Sequence, residues 1–83
     1  MFKKQIKFLP PFSTYKVTIK SQSISSPSRA LAYLIRNYGE SMITVNKQRV
    51  RSITITLDCS SNIYREMKLR FVKDIGYDFI WKD

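Results

Sequence analysis

Apolar and polar side chains alternate along several segments of the chain, which is the pattern of half-buried β-strands. In residues 14–20 the apolar positions are Tyr15, Val17 and Ile19, and polar residues stand between them. Residues 50–57 alternate in the same way, with β-branched residues at most positions. Residues 41–45 and the aromatic segment 77–81 are two further predicted strands, and residues 46–49 are predicted to form a hairpin loop.

Two other segments carry apolar residues three and four positions apart, which predicts α-helices. The first helix is expected to begin after Ser26, a good N-cap residue that is followed by proline, and to end at Gly39. Its apolar positions are Leu31, Leu34, Ile35 and Tyr38. The second helix is expected to begin at Ser60 or Ser61 and to end before Gly76. Its apolar seam is Ile63, Met67 and Phe71.

The predicted order is therefore strand, helix, strand, strand, helix, strand. This order indicates an α+β fold of the ferredoxin-like βαββαβ type, with two helices on one face of an antiparallel sheet. Residues 13–83 are predicted to form this single domain. Residues 1–12 are predicted to form a basic N-terminal arm or an extra strand, because residues 2–8 alternate and two prolines follow. The first segment and the last strand could each be an exposed edge, which leaves a homodimer through an edge strand open.

Charge is the strongest functional signal in the composition. Fifteen Lys and Arg stand against six Asp and Glu, which gives a formal net charge of +9 on 83 residues. Between Phe2 and Arg51 the only acidic residue is Glu40. Such an excess favours docking on a polyanion or an acidic protein. The candidate binding residues lie in the N-terminal arm, on the first confident strand and around the hairpin: Lys3, Lys4, Lys7, Lys16, Lys20, Lys47, Arg49 and Arg51.

The cations of the second helix have different surroundings, because acidic residues are interleaved with them. These cations are Arg65, Lys68, Arg70 and Lys73. The four-residue spacings Glu66–Arg70 and Arg70–Asp74 predict ion pairs along the helix. We therefore expect a solvated, salt-bridged face here and not a binding site.

The residue types that most enzymes need are scarce. The chain has no histidine, one cysteine and two glycines, so neither a metal site nor a glycine-rich phosphate loop is expected. Asp58 raises the pKa of a neighbouring thiol, which argues against Cys59 as a nucleophile. We expect no enzymatic activity, no cofactor and no metal. A lone cysteine indicates an intracellular location, in cytoplasm or plastid. The sequence has no apolar run long enough to span a membrane, so we expect no membrane partner.

Nucleic acid, and RNA in particular, is the first expected partner, because phosphate is the commonest target of basic surfaces. The last strand also offers Tyr77, Phe79 and Trp81 on one face, either as a base-stacking platform or as part of the core. The core interpretation is favoured, because three large rings supply much of a small core. A linker that docks on acidic proteins is the alternative, and a phage-encoded inhibitor of a nucleic-acid-binding complex is a third.

Residues 53–82 carry a family resemblance. The strand Ile53-Thr-Ile-Thr-Leu57 is followed by Asn62-Ile-Tyr-Arg-Glu-Met-Lys68, then by Gly76 and a closing β-segment that runs to Lys82. This arrangement resembles the C-terminal part of the CpcD-type small linkers of phycobilisomes, with Glu66-Met67 and Gly76 at the matching positions. Asp58-Cys59 stands where that family has Pro-Tyr, and Gly76 is single where it has Gly-Gly. The resemblance implies a small, basic, non-enzymatic protein that docks inside acidic protein rings.

Overall fold

The computed structural model describes residues 12–83, which form an α+β fold with a four-stranded antiparallel sheet and two α-helices. In chain order the elements are β1 (Phe12–Ser21), α1 (Pro27–Tyr38), a short 3-10 helix (Glu40–Met42), β2 (Ile43–Gln48), β3 (Ser52–Ser60), α2 (Ser61–Ile75) and β4 (Phe79–Lys82). The predicted succession of strands and α-helices is observed, and the 3-10 helix is an additional element. Of the predicted N-terminal arm, residues 1–12, Phe12 is the first residue of β1 and residues 1–11 lie outside the described range.

The strands lie in the sheet in the order β2-β3-β1-β4, and each neighbouring pair is antiparallel. The central pair, β1 and β3, has the longest register, from Phe12 opposite Ser60 to Lys20 opposite Ser52. The shorter β4 pairs with the second half of β1, where Thr18 is opposite Lys82. Within the described chain, β2 and β4 are the edge strands of the sheet.

Both α-helices begin where the serines predict. The Ser26 hydroxyl accepts a hydrogen bond from the Ser28 amide at 3.3 Å, and Pro27 occupies the first helical position of α1. The Ser60 hydroxyl accepts a hydrogen bond from the Ile63 amide at 3.2 Å at the start of α2. Gly39 follows α1 with a φ of +87°, a conformation that residues with a Cβ rarely adopt.

Alternation along the strands places the core on one face of the sheet, and both helices pack against that face. The residues that are fully or almost fully buried come from three strands and both helices: Val17, Ile19, Ala30, Leu34, Ile53, Ile55, Leu57, Cys59, Met67, Phe71, Phe79 and Trp81. Phe71 lies at the centre of an aromatic group, with its ring centroid 5.1 Å from that of Trp81. The interpretation of Phe79 and Trp81 as core residues is confirmed.

Three local predictions are wrong in detail. The hairpin turn comprises residues 49–51 and not 46–49, because an irregularity in the β2–β3 register between Val45 and Lys47 lets the strand continue to Gln48. Tyr77 lies in the turn before β4 and is 74% exposed, so it does not share the buried face with the later aromatics. On α1 the buried seam runs through Ala30 and Leu34, and Ile35 is 37% exposed.

Candidate functional site

The face of the sheet opposite the helices has a uniform chemistry, because the polar half of each strand's alternation lies on it. We call this surface the open face. Between residues 13 and 83 its strand side chains include Thr14, Lys16, Thr18, Lys20, Thr44, Asn46, Lys47, Ser52, Thr54, Thr56, Asp58, Ile80 and Lys82. All are hydroxyl, amide or charged side chains except Ile80. The aromatic rings of β4, in contrast, belong to the buried face.

The strand register arranges four lysines around the middle of the open face. Lys47, Thr54, Thr18 and Lys82 follow one another in a row across the four strands. Lys16 and Lys20 lie two residues to either side of this row on β1. With a rise of about 3.3 Å per residue, the Cα atoms of Lys16 and Lys20 are about 13 Å apart. Three strand spacings separate Lys47 from Lys82 by about 14 Å.

Threonine hydroxyls occupy the space between these lysines and are held by hydrogen bonds within the sheet. The Oγ1 atoms of Thr18 and Thr54 are 3.3 Å apart, and either can be the donor. Asn46 Nδ2 donates to Thr56 Oγ1 at 2.6 Å. These hydroxyls are partly buried, so their positions are fixed by the strands around them. The open face therefore has hydroxyls at its centre and ammonium groups around them.

Acidic side chains offset part of the positive charge on the helical side of the molecule. Two ion pairs involve α2, between Arg70 and Glu66 at 3.6 Å and between Lys68 and Asp83 at 2.9 Å. The expected Glu66–Arg70 pair is thus present, whereas Asp74 accepts a hydrogen bond from the Tyr33 hydroxyl at 2.7 Å. These contacts agree with the prediction that α2 presents a salt-bridged face.

The open face is charged differently. Its acidic residue in the described chain is Asp58, which lies at one end of the central strands and accepts a hydrogen bond from the Thr14 hydroxyl at 3.0 Å. Within residues 12–83, none of the lysines on this face is in an ion pair: Lys16, Lys20, Lys47 and Lys82. The surplus positive charge is therefore concentrated on the side of the sheet opposite α2.

The β2–β3 hairpin adds two arginines at one end of the sheet. The Ser21 amide donates to the Arg51 carbonyl at 2.8 Å, and Arg51 Nη2 donates to the Ser23 carbonyl at 3.1 Å. These bonds fasten the turn to the loop that follows β1. Arg49 bonds through its backbone amide to the Ser52 carbonyl at 2.7 Å, and its side chain is exposed. Arg49 is accordingly the freer of the two cations.

Three loops meet at this end of the sheet, which we call the loop end. The Gln22 amide donates to the Asp78 carbonyl at 2.8 Å, which joins the loop after β1 to the turn before β4. Each loop exposes one large apolar side chain: Ile24, Val50 and Tyr77. Isolated exposed apolar residues are ordinary, but three of them on adjoining loops with arginines nearby form a candidate contact surface.

The remaining polar chemistry is structural. Burial, followed by the charge of Asp58, raises the pKa of the Cys59 thiol, so the thiol stays protonated at neutral pH. Burial and the hydrogen bond to Asp74 raise the pKa of Tyr33 to about 12.

The described residues contain no group of three or more His, Cys, Asp or Glu side chains that could hold a metal ion. Among residues 12–83, neither α-helix is both long enough and apolar enough to cross a bilayer.

The structure brings together part of the predicted site. Lys16, Lys20 and Lys47 share the open face, and Arg49 and Arg51 lie at its hairpin end. The predicted contacts of Lys3, Lys4 and Lys7 lie outside the described residues. Sequence reasoning missed Lys82 and the threonine hydroxyls. The alternation of the last strand could have identified Lys82, because it places Lys82 on the face of the sheet opposite Phe79 and Trp81.

Comparison of the chain with protein-family models, with curated proteins and with solved structures found no match. Function is therefore inferred from the residues and their geometry.

Proposed function

We propose that the protein is a small non-catalytic module that binds nucleic acid, with RNA as the expected form, through its open face and the adjoining hairpin. One observation carries this proposal. Lysines free of ion pairs in the described chain surround hydroxyl side chains on one side of the sheet, whereas on the other side acidic residues pair with Lys68 and Arg70 of α2.

Both kinds of group on the open face suit a phosphate backbone. Lysine neutralises phosphate and releases condensed counterions, which supplies most sequence-independent affinity for nucleic acids. Serine and threonine hydroxyls are regular donors to phosphate and sugar oxygens. Because these residues lie on paired strands, the spacing of their Cα atoms is maintained before a ligand arrives, which lowers the entropic cost of binding.

We further infer that the architecture is ferredoxin-like. The order of strands and helices and the packing of both helices on one face support this assignment. The unpaired, buried Cys59 supports a reducing, intracellular compartment.

The proposal is tested by reversing charge on the open face. The variant K16E/K82E and the control R65E/K73E lose the same charge, and the control residues lie on α2. Binding to a fluorescent RNA is measured by anisotropy between 50 and 300 mM salt. For three single-strand phosphate contacts we expect a slope of log affinity against log salt of about −2. K16E/K82E should lose at least tenfold in affinity and flatten the slope, and R65E/K73E should lose less than threefold. Equal losses would mean that only the net charge matters, and the open face would then not be the site.

The hairpin is tested separately. R49E and R49E/R51E are compared in the same assay, and both variants are checked for folding by circular dichroism. We expect R49E to weaken RNA binding severalfold, and the double variant to abolish it. Because Arg51 also bonds to the loop after β1, R49E alone is the cleaner measure. Unchanged binding by folded R49E/R51E would remove the hairpin from the site.

A second candidate function is assembly on an acidic protein, and the loop end favours it. Protein interfaces bury apolar anchors with arginines beside them, and Ile24, Val50 and Tyr77 are exposed near Arg51. The phycobilisome-linker resemblance agrees with such a role and stays a prediction. Capture from native lysate with and without nuclease separates the two functions. Nuclease should release the partners of a nucleic-acid-binding protein and leave those of a linker in place.

A further inference from the structure

We propose that the open face recognises double-stranded RNA and lies across its minor groove, with the central threonines toward the 2′-hydroxyls and the surrounding lysines toward the phosphates. This inference rests on the proposed function and specifies the nucleic acid that the same surface takes.

The two-dimensional arrangement of the lysines favours a duplex. Lys16 and Lys20 are separated along β1, and Lys47 and Lys82 are separated across the sheet, by about 13 Å and about 14 Å respectively. A single strand follows one line and meets two or three of these cations at a time. A duplex presents two phosphate backbones side by side, so all four lysines can be neutralised at once.

The shape of the surface selects the groove. An α-helix or a two-stranded ribbon enters the major groove of B-DNA, which is about 12 Å wide. A four-stranded sheet with about 14 Å between its outer strand axes does not fit there. The minor groove of A-form RNA is wide and shallow, and proteins contact it by shape and through 2′-hydroxyls and phosphates. A broad sheet face that presents no aromatic ring among residues 13–83 can lie on such a surface.

The centre of the open face has the chemistry to read a ribose hydroxyl. Thr18 and Thr54 are hydrogen-bonded to each other, and only one of their two hydroxyl protons is used in that bond. The pair therefore keeps one donor and free acceptor lone pairs for a 2′-hydroxyl, which itself donates and accepts. The aromatic rings of β4, which could hold the bases of a single strand by stacking, are buried in the core.

The experiment compares three fluorescent probes of one sequence: a 20-base-pair RNA duplex, the corresponding DNA duplex and the single RNA strand. Anisotropy titrations at 100 mM salt should give at least tenfold tighter binding to the RNA duplex than to either of the others. The variant T18V/T54V removes the hydroxyls and keeps β-branched side chains of similar shape. It should bind the RNA duplex as weakly as the DNA duplex, with affinity for the DNA duplex unchanged.

T14V is the matched control, because the Thr14 hydroxyl is already committed to Asp58 at the acidic end of the same face. It should keep the full preference for duplex RNA. Equal or tighter binding of the single strand or of duplex DNA overturns the inference and leaves the proposed function standing. A preference for duplex RNA that survives in T18V/T54V overturns the minor-groove assignment. No binding of any probe overturns the proposed function together with this inference.

Discussion

Phe71 of α2 lies against aromatic rings of both α1 and β4. Its ring meets Tyr33 edge-on at 5.9 Å, Trp81 at 5.1 Å and Phe79 at 6.2 Å between ring centroids. F71A would remove all three contacts and leave a cavity, at a cost of about 3–5 kcal/mol. A domain of this size has only a few kcal/mol of stability. We therefore expect F71A to be largely unfolded at 25 °C by far-UV circular dichroism.

The neighbouring Val72 provides the control for this substitution, since its side chain is half exposed on the same helix. V72A should change the free energy of unfolding by less than about 0.5 kcal/mol in urea titrations. A folded F71A with wild-type stability would show that the aromatic group is not the main support of α2.

Asp83 makes a second prediction, on acid stability. Hydrogen bonds from Tyr64 at 2.6 Å and from Lys68 at 2.9 Å lower the pKa of Asp83 to about 2. Because the folded-state pKa is below the ordinary 3.8, the stabilisation is complete above about pH 4 and is lost as pH falls toward 2. The contribution is small, since the carboxylate is exposed.

D83N should therefore show a weaker decline in unfolding free energy between pH 4 and pH 2 than the wild type. Urea titrations at half-unit pH steps measure this. If D83N and the wild type decline in parallel, the Tyr64–Asp83–Lys68 contact has no energetic effect in solution.

Residue burial could be predicted well for the strands and less well for the helices. A period of two leaves only two choices of face, so Val17, Ile19 and Ile55 could be placed in the core. On α1 the apolar stripe is broad enough to permit several rotations. Tertiary contacts select Ala30 over Ile35, and a small residue is buried there while a larger one remains exposed. The local sequence pattern therefore does not predict which of these two residues is buried.

At the level of elements, the start of α2 depends on one hydroxyl. Ser60 is the last residue of β3 and also the N-cap of α2, so no loop separates the two elements. S60A should lower the free energy of unfolding by about 1 kcal/mol, because the Ile63 amide loses its partner. S61A is the matched control at the first helical position, where the side chain is exposed, and should be nearly neutral. Equal effects of S60A and S61A in urea titrations would contradict the assignment of the cap.

The helix boundaries could be read from the sequence because caps and glycines are local signals. The hairpin boundary could not, because residues 46–49 are polar and suit either a turn or an exposed edge strand. Pairing with β3 decides the matter, since Lys47 stands opposite Thr54 despite the irregularity in register. This detail changes the site, because Lys47 becomes part of the open face and leaves the turn to Arg49 and Arg51.

For the molecule as a whole, the net charge is readable from composition but its distribution is not. The two faces of the sheet differ in charge because the strand register places Thr18 beside both Thr54 and Lys82. Glu66 pairs with Arg70 within α2, whereas Asp83 reaches Lys68 only through the return of β4. The positive open face is thus a product of topology. Its partners should respond to the arrangement of its cations as well as to their number.

The same whole-molecule view predicts how binding depends on pH. The chain has no histidine, whose unperturbed pKa lies nearest neutrality, and burial raises the pKa of its single thiol. The stabilisation linked to Asp83 is also complete above about pH 4. Affinity for a duplex RNA at constant salt should therefore change by less than twofold between pH 5.5 and pH 7.0. Anisotropy titrations in matched ionic strength measure it, with circular dichroism at each pH as the control for folding. A change of fivefold or more would require a titrating group in the complex, which binding by lysine and hydroxyl groups alone does not supply.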